Sequence, residues 1–200
     1  IVHCADLAMA EDLAEFSPLA RRLASFWPGP LTLVLPRKPG TGLSDLVTAG
    51  LDTVGIRVPD HPLALALIRA AGTPLAAPSA NRSGRLSPTT AQQVLQAFQG
   101  LVPVLDGGPC ASGVESTILS VAGDTVTQLR AGALPRAEIA AAIGQPVAVA
   151  TKASGIAAPG MLASHYAPNA SLRLDAAGPA PGEAYLAFGV EPDNPPQLLR

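Results

Sequence analysis

The residues of this chain that can do chemistry gather at the ends of its apolar runs. The stretch "APSANRSGRLSPTT" (77–90) holds Ser79, Asn81 and Ser87, with Arg82 and Arg85 among them. Pro, Ser and Asn compete with backbone ladders, so this is a loop, and loops on a rigid scaffold often carry function. Ser116 and Thr117 stand where the glycine-rich turn "DGGPCASGVE" gives way to an apolar run. Arg57 is a cation inside the run "TVGIRVP", and Arg130 ends another. In an open α/β sheet, ligands bind outside strand ends, where helix N-termini and hydroxyl-rich turns offer donors to phosphate and carboxylate. The chemistry this points to is the binding of a small anionic ligand. Each residue also has a plainer reading. Ser87 can be a helix cap, Arg57 a surface-paired strand residue, Trp27 a packing residue and the glycines turn formers.

Other chemistries lack their signatures. There is no GxxxxGK[ST] and no GxGxxG, and "GGPCASG" has neither the lysine nor the register of a phosphate loop. His3, His61 and His165 are far apart and show no metal spacing. No GxSxG elbow supports a Ser/His/Asp triad. Cys4 and Cys110 are the only cysteines and read as two buried, reduced thiols rather than a disulfide scaffold.

The elements that must position these residues follow from pattern. "IVHC" reads as a strand, Asp6 caps a helix, and Ser17-Pro18 starts another that ends at "FWPGP". "LTLVLP" (31–36) is a buried strand, "RKPGTGLSDLVTAG" a loop and "TVGIRVP" (53–59) a strand. Asp60 opens the helix "HPLALALIRAA", ended by Gly72, and "TPLAAP" is a further buried strand leading into 77–90. Ser87-Pro88 starts the helix "TTAQQVLQAF", "LVPVL" is a strand, "STILSVAGDTVTQLR" a hairpin and "LPRAEIAAAIG" a last helix. Residues 148–170 read as a linker, and "SLRLDAAG" and "EAYLAFG" as two strands of a second unit. The pattern is mixed α/β.

Composition sets the outer limits. Hydrophobic residues make up 48% and charged residues 14% of 200 residues, which describes a packed, turn-rich chain rather than a disordered one. A formal net charge of -2 gives no global basic field for nucleic acid, although Arg82 and Arg85 could form a local patch. No apolar run approaches the ~20 residues of a membrane span. The chain opens without Met, so residues are expected to precede it.

Read in order, "FWPGPLTLVL", "TVGIRVPDHP", "PLAAPSANRSGRLSPT", "LDGG…GVESTI" and "LRAGAL" closely resemble the YrdC-like family, and within it the threonylcarbamoyl-AMP synthases. The resemblance runs from residue 1 to about 145, and "PGMLASHYAP" resembles the linker of the longer, two-domain branch. It implies a twisted mixed sheet with helices and a concave nucleotide cavity over 1–147. A linker over 148–170 and the start of a Rossmann-like C-terminal domain over 171–200 would follow. It further implies condensation of L-threonine, bicarbonate and ATP, with Mg2+, into threonylcarbamoyl-AMP and pyrophosphate for tRNA modification in the cytoplasm. Weak contacts with tRNA or a transfer complex belong to the same expectation, and a membrane does not.

By the same resemblance, Arg57 clamps the threonine carboxylate and His3, Ser116 and the backbone at Ala77 line the threonine pocket. Arg57 and Ser116 carry the catalytic contacts. Thr53, Ser79, Asn81, Ser87 and Arg130 fall on the ATP side, and Tyr166 of "HYAP" folds over the nucleotide. No protein metal site is implied. The family also carries a basic Lys-x-Arg motif and a threonine-binding segment ahead of "IVH". The chain is therefore expected to be incomplete at both ends, and residues 1–200 alone to be inactive. Two rivals are a carbamoyltransferase of hydrogenase maturation with a related domain, against which "HYAP" argues, and a non-catalytic RNA-binding module. The latter is disfavoured by the net charge of -2.

Overall fold

The computed structural model describes residues 1–151, 170–176 and 178–185. The chain divides into two units, Ile1–Ala167 and Pro168–Arg200. In the first, the order is β1 (Val2–His3), α1 (Leu7–Glu11), α2 (Pro18–Leu23), β2 (Leu31–Pro36), α3 (Asp45–Thr48), β3 (Thr53–Arg57) and α4 (Pro62–Ala71). Then come β4 (Leu75–Ala76), α5 (Ala91–Phe98), β5 (Thr117–Ala122), β6 (Thr125–Arg130), α6 (Arg136–Ile143) and β7 (Ala148–Val149).

Local chemistry explains the ends of the helices. Asp6 accepts from the Met9 amide at the start of α1, and Ser17 accepts from Ala20 with Pro18 in the first turn of α2. Gly72 closes α4 and Gly144 closes α6, both in the left-handed region that an L side chain rarely adopts.

Among the described residues the strands form one mixed sheet in the order β4-β1-β3-β2-β5-β6-β7. Three neighbouring pairs are parallel (β1 with β3, β2 with β5, β6 with β7), and the other three are antiparallel. One face buries Val2, Leu31, Leu33, Leu35, Val54, Ile56, Leu119 and Val126 against Ala20, Leu23, Ile139 and Ile143 of α2 and α6. The alternate residues of the same strands form a second face. Its apolar part is small: Val34 and Ile118, with Ile1 and Leu129 packed on them. The functional polar residues share this second face.

Several sequence expectations are corrected. Ser87 does not cap α5, whose N-cap is Thr90, accepting from the Gln93 amide. Thr90 has the extended backbone a cap requires, and the Ser87 hydroxyl is engaged elsewhere. Residues 101–105 are not a strand; Pro103 has no amide to give a ladder, and Leu101 and Leu105 are exposed. β4 is an edge strand and is not buried. Ser44 caps the short helix α3 inside the segment read as a loop. Cys110 is exposed, while Cys4 is buried. Ala148 and Val149 pair with β6, so the segment read as a linker from 148 begins inside the sheet.

In the second unit, residues 171–176 are irregular rather than a strand. Arg173 there pairs with both carboxylate oxygens of Glu183. That pairing, with a bond from the Ala180 amide, holds the Glu183 carboxyl down at about 2. The second expected strand lies largely outside the described residues.

Candidate functional site

The site is built from the turn at 27–30 outward. Trp27 donates its indole N–H to the Leu31 carbonyl (2.7 Å) and meets Phe16 edge-on, with ring centroids 6.1 Å apart. This pins Gly29, whose amide donates to the Val58 carbonyl (2.9 Å) and whose carbonyl accepts from Arg57 Nε (2.9 Å). A Cβ on Gly29 would run into the Phe26 carbonyl oxygen. The close turn therefore requires glycine, and it supplies a backbone acceptor that sets the plane of the Arg57 guanidinium. Asp60 Oδ1 lies 3.8 Å from Arg57 Nη2, but Asp60 is 64% exposed and contributes little. The terminal nitrogens of the fork remain suited to a planar anion.

His3 is the register partner of Arg57 across the parallel β1–β3 ladder. Burial lowers its pKa to about 4, and the charge of Arg57 pushes the same way, against weaker opposition from the Leu75 and Ile1 backbone. It is a neutral imidazole at pH 7, and its Nδ1 is buried without a hydrogen-bond partner among the described residues. Burial also lowers the pKa of Arg57; Asp60 opposes the shift and the charge of Arg130 adds to it. Two guanidinium groups thus face a common region, a field that favours an anion.

Arg130 reaches this face through a register shift in the β5–β6 hairpin. Ile118 pairs with Arg130 while Leu119 pairs with Gln128, so Leu129 is an extra residue. Arg130 donates from Nε (3.1 Å) and Nη2 (2.9 Å) to the Ser116 carbonyl, and from Nη2 to Ser116 Oγ (3.2 Å). Ser116 Oγ also lies 2.8 Å from Thr32 Oγ1 on β2. Ser116 is 4% exposed and Thr32 is fully buried. Thr117, next in the chain, turns to structure: its hydroxyl donates to the Leu134 carbonyl (2.7 Å) and accepts from the Leu134 amide (3.1 Å). Gly132 lies against this backbone so closely that a Cβ would fall on atoms of Glu115, Ser116 and Thr117.

The 77–90 loop is tied to the same place. Ser87 donates to Glu115 Oε1 at 2.6 Å, and Glu115 directly precedes Ser116. Asn81 donates from Nδ2 to the carbonyls of Arg82 (2.9 Å) and Arg85 (3.1 Å), which folds the loop on itself, and its Oδ1 lies 3.5 Å from the Ser87 hydroxyl. The structure thus gathers His3, Arg57, Ser116 and Arg130 and links Ser87 and Asn81 to them. Ala77 leaves β4 beside β1, its amide donating to the Ile1 carbonyl (3.0 Å), and Ser79 follows it exposed.

Thr53 is not gathered in. It begins β3, four residues before Arg57, hence about 13 Å along the strand. There it lines a separate cavity of about 440 Å3 together with Phe16, Val34 and Ser120. Tyr166 lies outside the described residues. Thr32, Glu115, Gly29 and Gly132 were not singled out from sequence, though each sits inside a motif quoted above.

Comparison with known proteins identifies the family. The Sua5/YciO/YrdC family profile, described as "Telomere recombination", matches residues 1–132. The chain belongs to the Sua5/YciO/YrdC family. A second profile, "Threonylcarbamoyl-AMP synthase, C-terminal domain", matches residues 128–191. A threonylcarbamoyl-AMP synthase of Bacillus subtilis is 50% identical over 181 residues, covering 87% of this chain and 52% of that protein. One of Pyrococcus abyssi is 42% identical over 182 residues, covering 86% and 52%. The crystal structure of P. abyssi Sua5 complexed with L-threonine superposes with a TM-score of 0.77 at 43% identity, covering 84% of this chain and 51% of that one. The chain spans about half the length of the curated relatives it matches. The mixed α/β fold with its seven-stranded sheet is that of Sua5 and YrdC-like structures.

Proposed function

We propose that the protein carrying this chain is an L-threonylcarbamoyladenylate synthase, which joins L-threonine, bicarbonate and ATP and releases pyrophosphate. The observation that carries this reading is the convergence of Arg57, Ser116 and Arg130 on one sheet face beside a neutral His3. The similarity to a structure complexed with L-threonine supports threonine as a substrate.

The chemistry needs positioning more than a nucleophile. The amine of threonine forms a bond to the bicarbonate carbon as a C–O bond breaks, and the nitrogen's proton leaves with that hydroxide as water, giving a carbamate. A carbamate oxygen then forms a bond to the α-phosphorus of ATP as the bond to the pyrophosphate oxygen breaks. Arg57, fixed by Gly29, holds the threonine carboxylate, and His3, Ser116 and the backbone at Ala77 line the amino-acid side. In this reading Ser79, Asn81, Ser87, Arg130, Tyr166 and, from the start of β3, Thr53 are the ATP-side residues. Mg2+ enters with ATP as part of that substrate. Preorganised donors facing the developing charge supply the catalysis.

The product would serve threonylcarbamoyl modification of tRNA, with tRNA or a transfer complex as weak partners and the cytoplasm as the setting. Among the described residues no helix is long and apolar enough to cross a membrane. The match to the synthase-type C-terminal domain favours this reading over a hydrogenase-maturation carbamoyltransferase. The test is pyrophosphate release by the full-length protein with each substrate omitted in turn. Release that requires ATP, L-threonine and bicarbonate together is expected, and release indifferent to threonine would refute the assignment.

A further inference from the structure

Thr32 is a hydroxyl in the middle of the apolar strand β2, with relative exposure of 0%. Its hydrogen-bond partner among the described residues is Ser116 Oγ, 2.8 Å away. Either oxygen could donate, and burial favours Thr32 as the donor: it is sealed at 0% exposure with no other acceptor among the described residues, whereas Ser116 keeps 4% exposure. A hydroxyl has one proton and two acceptor lone pairs. If Ser116 donated to Thr32, the Thr32 proton would be left buried without an acceptor, which is unfavourable. If Thr32 donates, its proton is satisfied. Ser116 Oγ then receives two hydrogen bonds, one from Thr32 and one from Arg130 Nη2 (3.2 Å), which fill both lone pairs. The proton of Ser116 is the group left over.

We propose that Thr32 is a positioning residue that makes Ser116 an obligate hydrogen-bond donor to an anionic oxygen of the ligand. It acts through Ser116 and touches no reacting atom. The inference rests on the reading above for the identity of the ligand but not for the direction of the bond. A serine with free rotation serves a donor or an acceptor equally. A serine whose lone pairs are both occupied discriminates for carboxylate, carbamate or phosphate oxygen and against an N–H group. The neighbouring Arg57 and Arg130 guanidiniums favour the same charge, so the hydroxyl and the field select the same ligand atom. The backbone holds the geometry as well. Thr32 and Ile118 are register partners on β2 and β5, and the Thr117 amide donates to the Pro30 carbonyl (2.9 Å), fixing Ser116 against the strand that carries Thr32.

The test uses Thr32→Val, which keeps the branched shape and removes the hydroxyl, and Thr32→Ser, which restores the donor. L-threonine and inorganic pyrophosphate are titrated calorimetrically into the full-length wild type and both variants, with thermal unfolding followed in parallel. The expected result is about tenfold weaker binding of one of these anions by Thr32→Val, binding within about twofold of wild type by Thr32→Ser, and an unfolding midpoint in Thr32→Val near that of wild type. A loss of anion binding that Thr32→Ser fails to restore would assign the effect to packing and overturn the proposal. So would a Thr32→Val protein that binds both anions as wild type does. Should wild type bind pyrophosphate but no threonine, the threonine reading fails while the Thr32 inference is decided by pyrophosphate alone. Should it bind neither, both fall.

Discussion

His3 offers a measurement that separates a buried neutral imidazole from an exposed one. Its pKa in the fold is about 4, lowered from 6.5 mainly by burial and next by Arg57. A depressed pKa means the fold penalises the protonated form. The stability that depends on a neutral His3 is therefore complete above pH 6.5 and is lost as pH falls toward 4. With 6.5 unfolded and about 4 folded, the unfolded state gains about 1.5 units of proton binding free energy over the folded state by pH 5. That is a loss of about 2 kcal/mol at 1.36 kcal/mol per unit. The assay is urea unfolding at pH 7 and pH 5 for wild type and His3→Gln, whose amide titrates at neither pH. Subtracting the variant removes the contributions of the carboxylates. Wild type should lose about 2 kcal/mol more than His3→Gln across this interval, with equal urea dependence of the free energy. Equal losses would mean that His3 is solvated, and the argument for a neutral imidazole beside Arg57 would collapse.

Gly132→Ala places a methyl group on the backbone of Glu115, Ser116 and Thr117 and should cost about 1–3 kcal/mol by overpacking, seen as an unfolding midpoint several degrees lower. An unchanged midpoint would show that this backbone yields freely. Arg57→Lys keeps the charge but loses both the planar fork and the Nε bond to the Gly29 carbonyl. L-threonine binding by the full-length protein should weaken at least tenfold while ATP binding changes less than about threefold. Equal weakening of both ligands would move Arg57 from the amino-acid side to a general electrostatic role.

Where the chain's local rules act alone, its elements were legible. The bounds of β2 at 31–36 follow from an uninterrupted apolar run, and the Asp6 and Ser17 caps follow from side chains that reach amides three residues on. The polar residues to watch were also visible, because Arg57, Ser116 and Arg130 break apolar patterns. What sequence could not supply is which neighbour wins a side chain. Ser87-Pro88 has the form of a helix start, yet the Ser87 hydroxyl goes to Glu115, 28 residues away, and Thr90 takes the cap. Residues 101–105 have strand composition but no strand partner, and pairing is a property of the whole sheet rather than of the segment. Thr32 passed unnoticed because a threonine in a β-rich run is ordinary; its meaning lies in Ser116, 84 residues on.

The placement of Arg130 shows how far such a site depends on one irregularity. Strict alternation in "TVTQLR" would put Val126, Gln128 and Arg130 on one face, and Val126 and Gln128 are both buried there. Continued for one more step, that alternation would drive a guanidinium toward the hydrophobic core, where an unpaired charge costs several kcal/mol. The extra residue at Leu129 breaks the alternation. Leu129 packs on Val34 and Ile118, and Arg130 arrives opposite Ile118, within reach of Ser116. The apolar contact of Leu129 thus anchors the bulge, and the bulge aims the cation. Gly132 then lets the chain fold back onto the backbone of residues 115–117, and Thr117 laces it to Leu134. The "LRAGAL" and "GVESTI" motifs are therefore one structural device. The first delivers a charge that the second orients, and neither motif has its meaning without the other.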